Sequence, residues 1–339
     1  MVSGAVFLDD DEVRDLFPPA TAVAAMRQAM RAFSAGEVTQ PLRTVLRPPS
    51  REGGEPGLFG SMPAHVPFEG RHWFGVKSVV VRADNPAKGL PTHVGTVTVF
   101  APDTGVPVAV LPAGTVTELR TAAASAVAAE ALALPGPTTL AVAGAGAQAR
   151  AHVTAMAAVR PIRRVRIWNR GPDGAAGLAE WVRTEHGFET DVCATLAEAT
   201  REAGLICTTT SAREPVLHDA DVAPGALVCA VGACRPGARE LSSALVARST
   251  VVLDSAEAAE REASELLVPL REGLIGRDHA RGEIGAVLDG RVPGRRGERE
   301  RMVYLSLGLA VQDVVAAVLV AKLRAVRAGA DPASAWWRA

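Results

Sequence analysis

The sequence predicts an α/β protein in which a doubly wound parallel sheet is inserted in an α+β domain. Two observations carry this. From about residue 138, short apolar strand-like runs alternate with helix-compatible segments, the rhythm of parallel βαβ units. Ahead of that, strand-like runs follow one another with no helix between them, the pattern of an antiparallel sheet. The expected boundaries are 1–120 plus 307–339 for the α+β domain and 121–306 for the parallel sheet. The α+β domain is discontinuous because the apolar helical segment Leu307 to Val326 is assigned back to it.

Each element has a local reason. Between Ala20 and Phe33, Val23, Met26, Met30 and Phe33 recur at helical spacing on one face. Leu42–Leu46, Phe74–Val81, Val94–Phe100 and Val108–Leu111 read as strands, separated by the turn signals Pro48-Pro49, Gly53-Gly54, Asn85-Pro86 and Asp103-Thr104-Gly105. An alanine-rich helix follows Glu118 and runs to about Leu134. Then come strand Thr138–Ala143, a helix to about Val159, strand Arg164–Trp168, helix Gly174–His186 and strand Thr190–Cys193. Gly204–Thr208, Ala226–Val231 and Thr250–Asp254 continue the strand series.

Composition narrows the function classes. The chain has 339 residues, 48% of them hydrophobic, with a formal net charge of −1. That balance lacks the electrostatic footprint needed for nucleic acid or an anionic membrane. Aromatic content of 4% leaves little for base stacking. The most apolar helical run, Leu307 to Leu323, is broken by Gln312, Asp313 and Lys322, against the ~18 uninterrupted apolar residues of a membrane span. Met1 to Val13 carries four acidic residues rather than a basic leader, so a cytoplasmic location is expected. Cys193, Cys207, Cys229 and Cys234 form no CxxC pair, and the seven histidines show no ligand spacing, so no metal site is expected.

The most informative local signal is the strand Leu140–Ala143 running into Gly144-Ala145-Gly146-Ala147-Gln148-Ala149. In this GxGxxA turn Gly144 permits the tight bend and Gly146 the close approach of a pyrophosphate. Ala149 keeps helix and strand together, and the helix N-terminus at Ala147 and Gln148 faces the phosphates. Together with the βαβ rhythm it predicts a Rossmann-type dinucleotide-binding domain. The second strand ends in Ile167-Trp168-Asn169-Arg170, where an NAD-type site would carry an acid for the ribose 2′-OH. Arg170 can pair with a 2′-phosphate and Asn169 can hydrogen-bond it, which predicts NADP(H). Thr208, Thr210 and Val231, at strand ends facing the crevice where such sheets bind ligands, are further contact candidates.

These residues also resemble a known family, that of ornithine cyclodeaminase and mu-crystallin. The resemblance rests on Arg120-Thr121-Ala122-Ala123-Ala124-Ser125-Ala126, the glycine turn, the strand end at Arg170, and Val231-Gly232-Ala233-Cys234-Arg235-Pro236. It extends to Gln40-Pro41-Leu42-Arg43-Thr44, Ser61-Met62-Pro63, Gly75-Val76-Lys77, Asp254-Ser255 with Glu257-Ala258-Ala259, and Ser306-Leu307-Gly308. It implies a homodimer whose α+β domain binds substrate and forms the interface. It also implies that Arg43, Lys77 and Arg120 hold a substrate carboxylate at the catalytic site, that His93 lines the substrate pocket, and that Thr121 and Cys234 lie among the cofactor contacts.

Two departures discriminate within the resemblance. Cyclodeaminases carry an Asp where this chain has Cys234, and a thiol is a poor acid/base substitute for a carboxylate. They also carry a Glu for the distal amine where this chain has Gly60. With the NADP-type strand end, these point to the ketimine-reductase branch. The expected function is NADPH-dependent reduction of small imino acids, cyclic ketimines such as 1-pyrroline-2-carboxylate or 1-piperideine-2-carboxylate, to the amino acids. The alternatives are an ornithine or lysine cyclodeaminase, an NAD(P)-dependent amino-acid dehydrogenase and, from another class, a catalytically silent NADP-binding crystallin-like protein. Many relatives have Lys before the Ser-Leu-Gly; here it is Leu305.

Overall fold

The computed structural model describes residues 5–49, 57–82, 84–234, 236–331 and 334–338. Gly53-Gly54 and Arg235 lie outside the described residues. The chain divides into two compact units, one comprising Met1–Arg120 with Leu309–Ala339 and the other Thr121–Gly308.

The first unit contains β1 (Val6–Phe7), α1 (Asp10–Leu16), α2 (Pro19–Ser34), β2 (Thr44–Leu46), β3 (Leu58–Phe68), β4 (Arg71–Val81), β5 (His93–Phe100) and β6 (Pro107–Pro112). They build a sheet in the order β1-β6-β5-β4-β3-β2, antiparallel throughout except where β1 lies parallel to β6. The C-terminal helix, Ala310–Arg327, packs across β3, β4 and β5, with α2 beside it. Its approach to β4 is close: a Cβ at Gly75 would stand 2.8 Å from the Val314 side chain, so only glycine fits there. Trp73 on β4 is buried and stacks on Trp336 near the C-terminus.

Strand β3 has no counterpart in the sequence reading, because Pro63 and Pro67 argue against a strand that donates on both sides. The register explains their presence. His65 exchanges both backbone hydrogen bonds with Thr39, away from β4, so the odd-numbered residues of β3 point their N–H groups outward. Pro63 and Pro67 share that outward parity. Short β2 covers only Phe59 to Ser61.

The second unit is entered through α3 (Ala113–Leu132), a single helix that begins in the first. It continues with β7 (Thr138–Ala143), α4 (Ala147–Val159), β8 (Ile162–Trp168), α5 (Pro172–His186), β9 (Glu189–Val192), α6 (Leu196–Thr200), β10 (Leu205–Thr208), β11 (Leu227–Ala230), α7 (Ser243–Ala247), β12 (Thr250–Leu253), α8 (Ala256–Glu262), α9 (Ser264–Arg271), β13 (Ala280–Glu283), α10 (Ile284–Leu288) and β14 (Met302–Leu305). All pairings are parallel, in the order β13-β12-β14-β11-β10-β7-β8-β9. This is a doubly wound sheet. Its strand order turns back between β7 and β10, which makes their carboxyl ends the ligand crevice. Strands β10, β11 and β14 are buried along their whole length, as a sheet covered on both faces requires.

A buried pair moors α4 to α3. His152 donates from Nδ1 to the Gln148 carbonyl (2.7 Å), and its Nε2 accepts from the Ser125 hydroxyl (2.9 Å). Burial lowers its pKa to about 4, which keeps the ring neutral for this arrangement. No helix among the described residues is long and apolar enough to cross a membrane.

Candidate active site

In the second unit the glycine turn closes at the end of β7. Gly144 has φ 109°, and a Cβ there would lie 2.8 Å from the Thr209 hydroxyl, so glycine is required twice over. Gly146 is the N-cap of α4, with extended backbone and no side-chain cap. A Cβ at Gly146 would meet nothing within 4 Å, which leaves open space over the first turn of α4. An uncapped helix N-terminus facing open space at the switch point fits a dinucleotide pyrophosphate, which backbone N–H groups at Ala147 and Gln148 would hold.

Around this turn the other expected contacts fall as follows. Asn169 follows the last residue of β8 and donates its amide to the Gly171 carbonyl (2.8 Å), which shapes the turn into α5. Arg170 is exposed beside it. Thr121 and Val231 are buried, and Cys234 is the exposed cysteine of the four. Thr208 is fully buried and turns inward, its hydroxyl donating to Glu240 Oε2 (2.8 Å). Thr210 donates its backbone N–H to Glu240 Oε1 (2.6 Å). Leu305 is a buried residue at the carboxyl end of β14, paired with Ala230 and Leu253 in the sheet.

In the first unit Lys77 and Arg120 converge on one carboxylate. Lys77 Nζ lies 2.6 Å from Asp313 Oδ2, and Arg120 Nε donates to Asp313 Oδ1 at 3.0 Å. Arg120 also donates to Gln312 Oε1 (2.6 Å), and Lys77 to the Thr117 hydroxyl (3.4 Å). All three charged groups are buried, Asp313 completely. The register brings the cations together. Lys77 faces Met62 across β3–β4, and extending the β2–β3 pairing by one residue sets Arg43 opposite Met62. The Gln40 side chain, three residues before Arg43, accepts the Val311 N–H at the start of the C-terminal helix (2.9 Å) and anchors that segment.

Burial lowers the Lys77 pKa to about 8; Asp313 opposes the shift, while the Arg120 and Arg43 charges add to it. His93, the first residue of β5, is exposed. Gly60 is buried on β3, where a Cβ would come within 3.3 Å of Val79.

Asp313 changes the electrostatic argument. Lys77, Arg120 and Asp313 together carry a surplus of one positive charge, and the Arg43 charge is felt at Lys77. Asp313 and Gln312 interrupt the apolar run near the C-terminus, and a buried Asp in a core helix demands a cation. Read that way, the interruption points to the site.

The Ornithine cyclodeaminase/mu-crystallin family model matches residues 5–325. A Delta(1)-pyrroline-2-carboxylate reductase of Bacillus cereus is 35% identical over 308 residues, 91% of this chain and 93% of the relative. The ketimine reductase mu-crystallin of Mus musculus is 35% identical over 324 residues, 94% of this chain and 97% of the relative. Among solved structures, Thermococcus litoralis Delta(1)-pyrroline-2-carboxylate reductase in complex with NADH and L-proline superimposes with a TM-score of 0.89 at 29% identity, covering 96% of this chain and 98% of that one. A family model spanning both units, with relatives matched over nearly their full length, leaves one conclusion: the chain belongs to the ornithine cyclodeaminase/mu-crystallin family.

Proposed function

We propose that the protein is an NADPH-dependent reductase that converts cyclic 2-imino carboxylates to the corresponding amino acids. The observation that carries the reading is the buried Lys77–Asp313–Arg120 cluster with Arg43 at its margin, a site with excess positive charge. The relatives named for pyrroline-2-carboxylate and ketimine reduction supply the substrate class. An Arg fork takes a carboxylate bidentately and Lys77 adds a point charge, so the imine carbon is fixed by its own carboxylate. Bound NADPH supplies the hydride. The chain's residues contribute mainly by positioning. Gly60 and Cys234 supply neither of the carboxylates expected of a cyclodeaminase, which favours the reductive direction. The test is NADPH oxidation over a panel of cyclic and open-chain imino acids, with ammonia release from ornithine plus NAD as the contrast. Efficient ornithine turnover without imine reduction would overturn the reading.

NADPH preference is assigned to Arg170, exposed at the turn between β8 and α5. A charge-assisted bond to the 2′-phosphate should make NADPH bind more tightly than NADH by about 1.5–3 kcal/mol. Arg170→Asp should erase or reverse that difference in a cofactor titration. Equal affinities in the unmodified protein would exclude this role.

Lys77 sets an alkaline limit. Its pKa is lowered to about 8, so the ammonium is present below that pH and is lost as pH rises through it. Carboxylate capture should therefore be full well below 8, and kcat/KM should fall as pH rises through it, with KM carrying the change. Lys77→Arg, which stays charged, should shift the decline upward or remove it. A profile that stays flat to pH 10 would exclude Lys77 from the clamp.

The homodimer is proposed to form through the outer face of the first unit's sheet. Leu46, Phe59, Val80 and Val94 are successive cross-strand partners on β2, β3, β4 and β5, and each is 36–56% exposed. Such a contiguous apolar row marks an association surface, and a second copy meets it with the same row under two-fold symmetry. Sedimentation of the full chain should give two copies per particle, and Phe59→Asp should give one.

A further inference from the structure

Glu240 lies in the segment leaving β11, is completely buried, and is absent from the catalytic scheme above. Its carboxylate gathers the ends of two strands. Oε2 accepts from the Thr208 hydroxyl (2.8 Å) and the Gly232 N–H (2.7 Å), and Oε1 from the Thr210 N–H (2.6 Å). Thr208 ends β10, and Gly232 lies two residues beyond β11. The Glu240 main chain is held as well. Its N–H donates to buried Glu265 (3.0 Å), and its carbonyl accepts from Val216 and Leu217 (2.8 and 2.9 Å). Nearby, the Gly237 N–H donates to Ser264 (2.9 Å), so the start of α9 grips this loop at two points.

The latch reaches the glycine turn in one further step. Thr209, between the two threonines bound by Glu240, donates its N–H to the Ala143 carbonyl (2.8 Å) and is the residue against which Gly144 is packed. Gly232 is pressed just as closely, since a Cβ there would stand 2.6 Å from Glu240 Oε1. Burial of a carboxylate at the rim of a crevice is costly unless donors satisfy it, and here the donors belong to the crevice loops themselves.

We propose that Glu240 is a positioning residue that locks the loops after β10 and β11 in the shape that receives the dinucleotide. This rests on the reading of the β7/β10 crevice as the cofactor site. Glutamine at this position keeps the volume, but whichever way its amide is turned, an NH2 faces a backbone N–H of Thr210 or Gly232. One of the two loops is thereby released without opening a cavity.

The experiment titrates the full chain with NADPH by calorimetry and records kcat and KM for a cyclic imino acid. The variants are Glu240→Gln, Glu240→Asp and Thr200→Val. Thr200 is a buried hydroxyl at the end of α6 that donates to the Leu196 and Asp221 carbonyls, and it serves as the stability control. Glu240→Gln should weaken NADPH at least tenfold. At saturating NADPH, the imine KM should stay within about twofold. Glu240→Asp should recover part of the loss, because it keeps the acceptor charge. Thr200→Val should lower Tm with NADPH affinity unchanged. Should Glu240→Gln fail to fold, Thr208→Val removes a single donor and should weaken NADPH severalfold in a folded protein. Unchanged NADPH affinity in folded Glu240→Gln, or in folded Thr208→Val if the former is not obtained, would overturn the proposal. Absence of NADPH and NADH binding by the unmodified chain would instead overturn the crevice reading.

Discussion

Asp313→Ala should destabilise the first unit by about 3–5 kcal/mol, the cost of removing one partner from a buried ion pair. The loss is large because two cations share that carboxylate: Lys77 at 2.6 Å and Arg120 at 3.0 Å would both be left buried and facing each other. Urea unfolding monitored on the tryptophans of this unit, Trp73, Trp336 and Trp337, measures it. Asp313→Asn should cost less, since the amide oxygen still accepts from Arg120. The triple variant Lys77→Met, Arg120→Met and Asp313→Leu should regain much of the stability, because apolar residues of similar volume often replace a buried pair or triad without loss. It should not regain activity. If the single variant were as stable as the parent, Asp313 would not be the counter-charge of this cluster.

Arg43→Ala should lower kcat/KM for a cyclic imino carboxylate by about 2–4 kcal/mol, roughly 30- to 1000-fold, as for other lost charge-assisted contacts. The reason lies in exposure. Lys77 and Arg120 are buried against Asp313, whereas Arg43, whose charge is felt at Lys77, is half-buried and within reach of an incoming carboxylate. NADPH affinity should hardly change, because the glycine turn belongs to the other unit. Stability should change little, since Arg43 is only half-buried. An imine without the carboxylate should be a poor substrate and indifferent to the substitution. Equal losses on carboxylated and decarboxylated imines would make Arg43 a structural residue of the sheet.

Much of this was legible in the sequence where a single physical rule dominates. The strand Thr138–Ala143 and the turn after it stand where they were expected, because a doubly covered strand is uniformly apolar and the turn requires glycine. The end of α5 at Gly187, in a left-handed conformation, follows from the same kind of constraint. Strand β14 lies in the interior of the sheet, between β12 and β11, but four apolar residues after an arginine-rich stretch have no period to detect. Helix α1 is signalled differently: Asp9 and Glu12 form a reciprocal capping box, a local sign that a run of acidic residues does not display by periodicity. Glu240 was beyond pattern reading, and Asp313 shows in the sequence only as a break in an apolar run. Most of their partners lie tens to hundreds of residues away, Thr208 and Thr210 for Glu240, Lys77 and Arg120 for Asp313.

The prolines of β3 have a bearing on how copies of this chain can meet. Along the outward side of that strand, Phe59 and Ser61 are paired by β2, His65 is paired by Thr39, and Pro63 and Pro67 have no hydrogen to give. At the opposite margin β1 is two residues long. Among the described residues the border strands are short, β1 of two residues and β2 of three, so each border gives another chain little template on which to lay a further strand. The contact proposed through the broad outer face would be self-complementary under a two-fold axis and would be used up once one partner had docked. A dimer formed that way would close on itself rather than extend.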